Sequence, residues 1–494
     1  MRSSALYIST GLLCMITAVS CKKLIEIDPP KNTIGTHQVF QNETQAEGAM
    51  AGLYTRMINA DDVTQQYAVA RSKFSAGAAT IIAGLSADEF IPYSGPADPE
   101  NYFLYTNKLT ILRDGITLPV WESAYKTIYN ANAIIEGIAA STSSALPLNT
   151  RRELTGEAKF VRALCYFYLT NLFGEVPLTL TIDFNKTVRL PRAPQSEVYR
   201  LMVEDLKEAA ASLSEGYKRG KGERIRPNKW AATALLARVY LYMNDYPAAA
   251  AAASAVISQQ ELYALETDLN NVFLATSKEA IWQLKQTTIG SIMSATPEGY
   301  ALIPGEPKHQ SSTQFVLTTQ LLQAFETNDK RRTDWVDSTD NTSPSNPPNI
   351  TWYPAKYKIG PSTLYDGLPA EYYTVLRLAE MYLIRAEAAA YGALGGPSDG
   401  VNDLNEIRKR AGLTNLSSSL TKDQLLEAIE HERQVELFSE WGHRWLDLKR
   451  TGRAHDVLSV IPAKQPWAGD HQFLYPIPST ERRDNPQLSQ NDGY

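Results

Sequence analysis

The chain has 494 residues, which is enough for about three average domains or for one large α-helical body. With 44% hydrophobic and 21% charged residues, it has the composition of a globular protein with a sizeable core and not that of a disordered chain. Its formal net charge of −6 argues against a general nucleic-acid-binding protein, because such proteins need a strong excess of Lys and Arg.

The N-terminus has the features of a secretory signal. Arg2 supplies a positive start, residues 5–19 are mostly apolar, and the small residues Ala18, Val19 and Ser20 precede Cys21. The apolar stretch falls short of the about 20 residues that span a bilayer, and no such run occurs elsewhere. An ordinary cleaved signal and a buried N-terminal helix are both compatible with this pattern. The position of Cys21 more closely resembles a bacterial lipoprotein signal, in which that cysteine is acylated.

The cysteine count is consistent with this interpretation. Cys14 would leave with the signal and Cys21 would carry lipid, so Cys165 alone remains in the mature chain and no internal disulfide is expected. Cys165 lies in an apolar helical run, where we expect it to be a small core residue.

After an extended tether at 22–33, helical patterns follow one another along the chain. We predict helices at 43–58, 121–138, 151–173 and 196–213. Gly174 and then Pro177 indicate the end of the third helix, and Ser196 is expected to cap the start of the fourth.

The segment 230–257 resembles a tetratricopeptide helix pair, with residues 244–247 as its turn and a run of alanines in its second helix. A second pair is predicted from 371–391 and 401–410. In the first of its helices one apolar stripe is expected, formed by Val375, Leu378, Tyr382 and Ala386.

Between these pairs the pattern changes to turn formers and aromatics, and we predict loops and short strands over 266–370. Trp282 lies in a buried strand by this interpretation. The predicted organisation is a signal at 1–20, a tether and helical-repeat part at 21–265, a loop-rich ligand-facing insertion at 266–370 and a C-terminal helical part at 371–494. From about residue 35 these parts are expected to form one continuous unit, an all-α superhelix of tetratricopeptide-like pairs with a loop-rich region.

Motifs for metal, phosphate or nucleophilic chemistry are missing from the sequence. It contains no His-Glu-x-x-His, no cysteine pair suited to zinc, no Gly-x-Ser-x-Gly and no Walker-type loop, so we predict no metal and no cofactor. The basic residues between Lys218 and Arg226 are interpreted as a solvated loop rather than a nucleic-acid patch.

Glu432 and Glu436 are the best candidates for a catalytic pair, since two carboxylates can hydrolyse a glycosidic bond. The competing interpretation is a structural network in which Arg433, Arg444 and Arg450 pair with these carboxylates. The arginines favour the structural role, because they would lower the carboxyl pKa whereas a general acid needs a raised pKa.

Aromatic residues are the other candidates for a functional role, and the chain contains 26 Tyr and 8 Trp but only 13 Phe. Tyr and Trp combine a flat apolar face with a polar edge, which matches the CH face and hydroxyl rim of a sugar ring. The candidates in loop-like stretches are Tyr93, Tyr102, Tyr105, Tyr300, Trp352, Tyr357, Tyr365 and Trp467.

Ordered segments along the chain resemble the SusD/RagB family of outer-membrane lipoproteins of Bacteroidetes. They are CKKLIEIDPP at 21–30, GEAKFVRALCYFY at 156–168, FGEVPL at 173–178, KWAATALLARVYL at 229–241, RLAEMYLIRAE at 377–387, NEIRKRAG at 405–412, ERQVEL at 432–437, RWLDL at 444–448, YPIP at 475–478 and NPQLSQNDGY at 485–494.

This resemblance implies a SusD-like helical fold, a lipid anchor on the outer membrane facing the cell exterior, and a SusC-like TonB-dependent transporter as partner. It further implies capture of a glycan or other nutrient without chemical conversion, so an enzyme is not expected. The loops near 86–106 and 296–320 resemble in position those that bear the site in the starch-binding member, and His309 and Gln310 join the candidates as polar partners. A peptide ligand on the same scaffold, and less favourably a surface glycosidase, remain alternatives.

Overall fold

A computed structural model describes residues 39–59, 69–287, 295–305, 313–339, 350–361 and 369–494. Helices make up nearly all the regular secondary structure of the N-terminal half, with β1 (Phe90–Pro92) as its one named strand in the described ranges. Its elements are α1 (Glu43–Ile58), α2 (Val69–Ser72), α3 (Ala78–Ser86), β1 (Phe90–Pro92), α4 (Pro99–Tyr105), α5 (Thr117–Ala140), α6 (Leu148–Phe173), α7 (Phe184–Thr187), α8 (Gln195–Ser212), α9 (Lys229–Tyr242) and α10 (Tyr246–Ile257).

Short strands and helices follow before the chain returns to longer helices. They are β2 (Ala280–Leu284), α11 (Pro297–Leu302), β3 (Phe315–Leu317), α12 (Thr319–Ala324), α13 (Lys330–Asp334), β4 (Val336–Ser338), β5 (Trp352–Pro354) and β6 (Tyr373–Arg377). The C-terminal helices are α14 (Leu378–Ala390), α15 (Pro397–Arg410), α16 (Lys422–Glu436), α17 (His443–Arg450), α18 (Ala454–Leu458) and α19 (Ser479–Asp484).

The long helices pack in one continuous series, α5, α6, α8, α9, α10, α14 and α15, each against the next. The turn between α9 and α10 shows why the series forms. Asn244 adopts a left-handed backbone with φ of 57°, and the Asp245 side chain accepts a hydrogen bond from the Ala248 N–H at 3.2 Å, which starts α10 at once. The alanines of α10 then allow close approach to its neighbours. The predicted superhelix of tetratricopeptide-like pairs is confirmed.

Buried ion pairs reinforce the joints between these helices. Arg162 of α6 binds Asp205 of α8 through two hydrogen bonds of 2.8 Å. Arg238 of α9 binds Glu380 of α14 in the same bidentate manner, at 2.6 Å for both bonds. All four side chains are buried. Such pairs fix the relative orientation of two helices, because a buried charge without its partner is costly.

Three antiparallel two-stranded ladders occur among the described residues, namely β1–β3, β2–β6 and β4–β5. The described part of 266–370 therefore carries short strands, as predicted, together with the short helices α11, α12 and α13. In two ladders a strand of this region pairs with a strand outside it. β3 pairs with β1 of the N-terminal part, and β2 pairs with β6 of the C-terminal part. The expected core positions of Trp282 and Cys165 are also confirmed, since both are fully buried.

Two predicted boundaries differ from the structure. Ser196 does not cap α8, because the fixed φ of Pro194 already starts the helix at Gln195. The predicted helix at 371–391 begins only at Leu378, because residues 373–377 form β6 and pair with β2. Val375 therefore lies in a strand, and the predicted apolar stripe is shorter by that residue. Within the described ranges, no helix combines the length and apolar character needed to cross a membrane.

Candidate functional site

The ladder β1–β3 brings together the two loops that the sequence analysis singled out. Ile91 lies opposite Val316, and the Tyr93 N–H donates to the Gln314 carbonyl at 2.9 Å. Tyr93 follows the strand directly, and 38% of its surface is exposed. The segments around 90 and 315 thus form one surface although more than 200 residues separate them in the chain.

Helix α4 displays two further tyrosines beside this ladder. Its start is fixed by Asp98, whose carboxylate accepts a hydrogen bond from the Asn101 side chain at 2.6 Å. Tyr102 and Tyr105 are partly exposed, with ring centroids 6.2 Å apart and ring planes at 55°. We refer to Tyr93, Tyr102 and Tyr105 with their backbone supports as the aromatic face.

A buried lysine anchors the end of α4. The Lys464 ammonium donates to the carbonyls of Tyr105 at 2.6 Å, Ser86 at 3.1 Å and Leu85 at 3.2 Å. Burial lowers the pKa of Lys464 to about 7. Since three carbonyls converge on one ammonium, the chain ends of α3 and α4 are held in a fixed relation and the aromatic face has a rigid base.

Tyr300 lies on α11 and is partly exposed. The helix is capped by Thr296, whose hydroxyl accepts a hydrogen bond from the Gly299 N–H at 3.0 Å. Glu298 of the same helix points inward and is only 2% exposed. Residues two apart on a helix are separated by about 200° around its axis, so burial of Glu298 directs Tyr300 away from the core.

The environment of the Glu298 carboxyl favours its protonated form. Burial and the neighbouring Glu440 raise its pKa well above the usual range, while hydrogen bonds from Thr80 and Tyr373 offset only part of this effect. One carboxyl oxygen has no hydrogen-bond partner among the described residues. It lies beside a cavity of about 10 Å³ that Lys356 also lines, which has room for about one water molecule.

Trp352 and Tyr357 are placed differently from the other candidates. The Arg332 guanidinium lies 4.0 Å from the Trp352 ring centroid and covers one face of that ring. Tyr357 is only 5% exposed, and its hydroxyl accepts a hydrogen bond from the Thr374 N–H at 3.0 Å. Tyr357 thus packs in the core behind β6 and offers no ring face to solvent. His309, Gln310 and Tyr365 lie outside the described residues.

Two cavities adjoin these elements, and both are far too small for a sugar. The one beside Glu298 measures about 10 Å³, and the next, lined by Leu104 and Tyr475, has no room even for water. A sugar that engages the partly exposed tyrosines would therefore lie outside these two cavities.

Glu432 and Glu436 are both 0% exposed and fully paired. Glu436 accepts hydrogen bonds from Arg377 at 2.6 Å, from Arg331 at 2.9 Å and from Arg410. Glu432 binds Arg331 at 2.5 Å and Arg408 at 3.3 Å. This set, which we call the arginine–glutamate network, joins α16 to α13, β6 and α15.

The network excludes a catalytic role for this carboxylate pair. Burial by itself would raise the pKa of Glu436, but Arg410, Arg377 and Arg331 hold it well below its usual range. A general acid in glycoside hydrolysis needs the opposite shift and access to substrate. The structural interpretation from the sequence is therefore correct.

The sequence analysis named the wrong arginines as partners of Glu432 and Glu436. Arg433, Arg444 and Arg450 do not reach Glu432 or Glu436, and they bind Asp447, Asp88 and Glu387 instead. The arginines that do bind the pair come from elements distant in sequence, so spacing along α16 could not identify them.

Glu326, His431 and Glu432 are close enough together to suggest a metal site. However, the Arg408 guanidinium already donates to both carboxylates, at 2.5 Å to Glu326 and 3.3 Å to Glu432. The position that a cation would take is thus filled by a cationic side chain.

Comparison with known proteins places this architecture in a family. Residues 326–494 match the model of the SusD family, and residues 95–241 match a model described as starch-binding and associating with the outer membrane. The chain belongs to the SusD/RagB family.

Relatives of this SusD/RagB-family chain align over nearly its whole length. SusD-like protein P2 of Formosa agariphila is 26% identical, with 99% of each chain covered. A SusD superfamily structure from Bacteroides vulgatus superposes with a TM-score of 0.76 at 21% identity, covering 92% of this chain and 100% of the other. A laminarin-binding SusD-like protein superposes with a TM-score of 0.72 at 23% identity and the same coverage. At these identities the superpositions show a shared SusD-like fold.

Sequence reasoning missed the two anchors of the site, Lys464 and Glu298. Neither occupies a recognisable motif, and each acts on a segment remote in sequence. The only local signal is the Thr296-Pro297 pair before Glu298, which is typical of a helix start but says nothing about burial of the carboxyl group.

We predict that Glu436→Gln strongly destabilises the protein. The substitution leaves Arg331, Arg377 and Arg410 without a shared counter-charge in the core, which should lower the free energy of unfolding by about 3–5 kcal/mol. Urea denaturation measures this change. The matched control is Glu204→Gln, which removes an exposed ion pair with Arg200 and should cost less than about 1 kcal/mol. Equal losses in the two variants would contradict a central role for the network.

We predict that Glu298→Gln stabilises the protein above about pH 5. The raised pKa keeps Glu298 protonated in the folded state, while the unfolded chain ionises near its usual value. Stability of the natural protein should thus fall as pH rises above the unfolded pKa, and Gln removes this loss. Thermal melts at pH 4 and pH 7 give the comparison. A melting-temperature difference from the natural protein that is the same at both pH values would contradict the prediction.

Proposed function

We propose that this protein is a cell-surface lipoprotein that captures an oligosaccharide or glycan and delivers it to a SusC-like TonB-dependent transporter. Membership of a family with starch-binding and laminarin-binding relatives supports a sugar as the ligand class. The observation that carries the proposal is the aromatic face. Its tyrosine rings lie at the surface on anchored backbone. The β1–β3 ladder also places this face beside the loop near 296–320.

The chemistry of the face suits a sugar. A tyrosine ring contacts the CH face of a pyranose, and its hydroxyl group can exchange hydrogen bonds with the ring substituents. Because Lys464 and Asp98 fix the two ends of α4, little conformational entropy is lost when the rings engage a ligand. Tyr300 on α11, directed outward by the buried Glu298, supplies a further ring.

Capture without chemical conversion is part of the proposal. Glu432 and Glu436, the pair that the sequence offered as a glycosidase alternative, are buried and held by arginines. A binding protein that passes its ligand onward needs a face that releases the ligand intact, and a shallow surface of aromatic rings fulfils this need.

The location at the outer membrane rests on the N-terminal sequence and on the relatives. Cys21 lies outside the described residues, directly after a signal-like segment. An acyl chain contributes about 0.8 kcal/mol per buried CH₂, so more than one chain on Cys21 would anchor the protein stably. The family match associated with the outer membrane agrees with such an anchor.

We predict that Tyr102→Ala and Tyr300→Ala each weaken glycan binding by at least about tenfold, corresponding to ~1.4 kcal/mol, with nearly unchanged melting temperature. A glycan array with residues 22–494 first identifies the ligand, and calorimetry then gives the affinities. Tyr129→Ala, which removes an exposed ring on α5, is the matched control. Binding of peptides and no glycans would favour the alternative ligand class, and release of reducing ends would overturn the non-enzymatic role.

We predict that Cys21→Ala moves the protein from the membrane fraction to the soluble fraction of cells, because it removes the site of acylation. Fractionation followed by immunoblotting measures the distribution. Cys165→Ala serves as the control, since Cys165 is buried in the core and its loss should leave the distribution unchanged. Membrane association of the Cys21 variant at the natural level would exclude the lipid anchor.

A further inference from the structure

A second cluster of ring and polar side chains lies next to the aromatic face, near the C-terminus of the chain. Trp467 is partly exposed, and its indole N–H donates to Asp470 Oδ1 at 3.1 Å. His455 Nδ1 lies 2.8 Å from the same oxygen. His455 and Asp470 are both largely exposed. One side of Trp467 packs against the hydrophobic core, whereas His455 and Asp470 belong neither to the core nor to the arginine–glutamate network.

The Trp467 ring is held between two neighbouring rings. It packs against Phe473 with centroids 5.9 Å apart and planes at 47°, and the His455 ring meets it nearly perpendicularly at 6.2 Å. The hydrogen bond to Asp470 fixes the rotation of the indole. A large apolar ring kept in one orientation at the surface is a platform on which a flat ligand can stack.

The polar groups around the platform suit a neutral hydroxyl-bearing ligand. Both hydrogen bonds of Asp470 within the described structure use Oδ1, which leaves Oδ2 available to accept from a hydroxyl group. The hydrogen bond from His455 holds the pKa of Asp470 below its usual value, so this group is a carboxylate and an acceptor. The imidazole beside it can exchange a further hydrogen bond with a hydroxyl group.

The chain connects this platform directly to the aromatic face. The Lys464 ammonium donates to the Tyr105 carbonyl at 2.6 Å, and the Lys108 ammonium donates to the Gln465 carbonyl at 2.7 Å. Residues 464 and 465 are thereby fastened along the end of α4. Trp467 comes two residues after Gln465, so its backbone lies within about 7 Å of this contact.

We propose that Trp467, Asp470 and His455 form an additional contact site for a neutral sugar unit of the same glycan chain that binds the aromatic face. Trp467 stacks on the sugar ring and Asp470 accepts from its hydroxyl groups. This inference rests on the proposed function of glycan capture. It adds a second place at which the same glycan contacts the protein. A long glycan engages both places at once and a short oligosaccharide engages one, so the site selects for chain length.

The test compares a polysaccharide and a trisaccharide of the same linkage by calorimetry. A panel that includes starch and laminarin provides the polysaccharide, and the proteins compared are the natural chain, Trp467→Ala and Asp470→Ala. Both variants should bind the polysaccharide at least about fivefold more weakly and the trisaccharide with unchanged affinity. Asp470→Ala keeps the Trp467 side chain but removes its hydrogen-bond acceptor and the carboxylate, and it keeps the test valid should Trp467→Ala fail to fold. Phe184→Ala, which removes an exposed ring on α7, is the matched control.

The possible outcomes separate this inference from the proposed function. Unchanged polysaccharide affinity in both variants overturns the additional site and leaves glycan capture standing. Equal weakening of the polysaccharide and the trisaccharide also overturns it, since the two places would then not act separately. Failure of every polysaccharide in the panel to bind the natural protein overturns the proposed function and this inference with it.

Discussion

The arrangement of this protein depends on burying charge. Glu436 has no solvent contact, and three arginines from three separate elements converge on it. None of these groups tolerates burial alone, so each element can occupy only the position in which all the charges are paired. The network therefore fixes α16 relative to α13, β6 and α15 more strictly than apolar contacts would, because apolar contacts tolerate sliding and paired charges do not.

Buried titratable groups also lie beneath the candidate site. Lys464 holds the ends of α3 and α4, and Glu298 holds α11, in each case through a single titratable group inserted into the core. Burial of these groups gives short elements a fixed orientation that their own length could not supply, since α4 and α11 have only seven and six residues. Tyrosine rings on the outer side of these elements are then presented to solvent on a rigid base. Buried polar groups on the inner side of these short elements thus orient the rings on the outer side, and the proposed binding of a glycan requires such a preorganised surface.

The helical framework follows closely from local patterns. Residues 43–58 were predicted and are observed as α1 with the same bounds, and the helix ending at Phe173 is followed by Gly174 with φ of 81°, as its glycine predicted. Where prediction failed, a distant partner was responsible. Residues 373–377 have a helical apolar pattern, yet they form a strand because Ala280–Leu284 offers its backbone for pairing. Tyr357 lies in a segment with loop composition, yet the packing of Phe273 and Tyr373 around it encloses the ring.

The sequence by itself determined the helical repeat, the lipoprotein-like start, the family resemblance and the types of residue suited to a sugar ligand. These properties are local, since helix periodicity, capping and motif order are written within short stretches of chain. Only the tertiary structure decided which arginines neutralise Glu432 and Glu436, which tyrosines reach the surface and that Trp467 adjoins the end of α4. Those outcomes depend on contacts between residues that are far apart in the chain. The physical reason is that burial and charge pairing are set by all the residues that surround a side chain in the folded protein, and a short segment does not contain them.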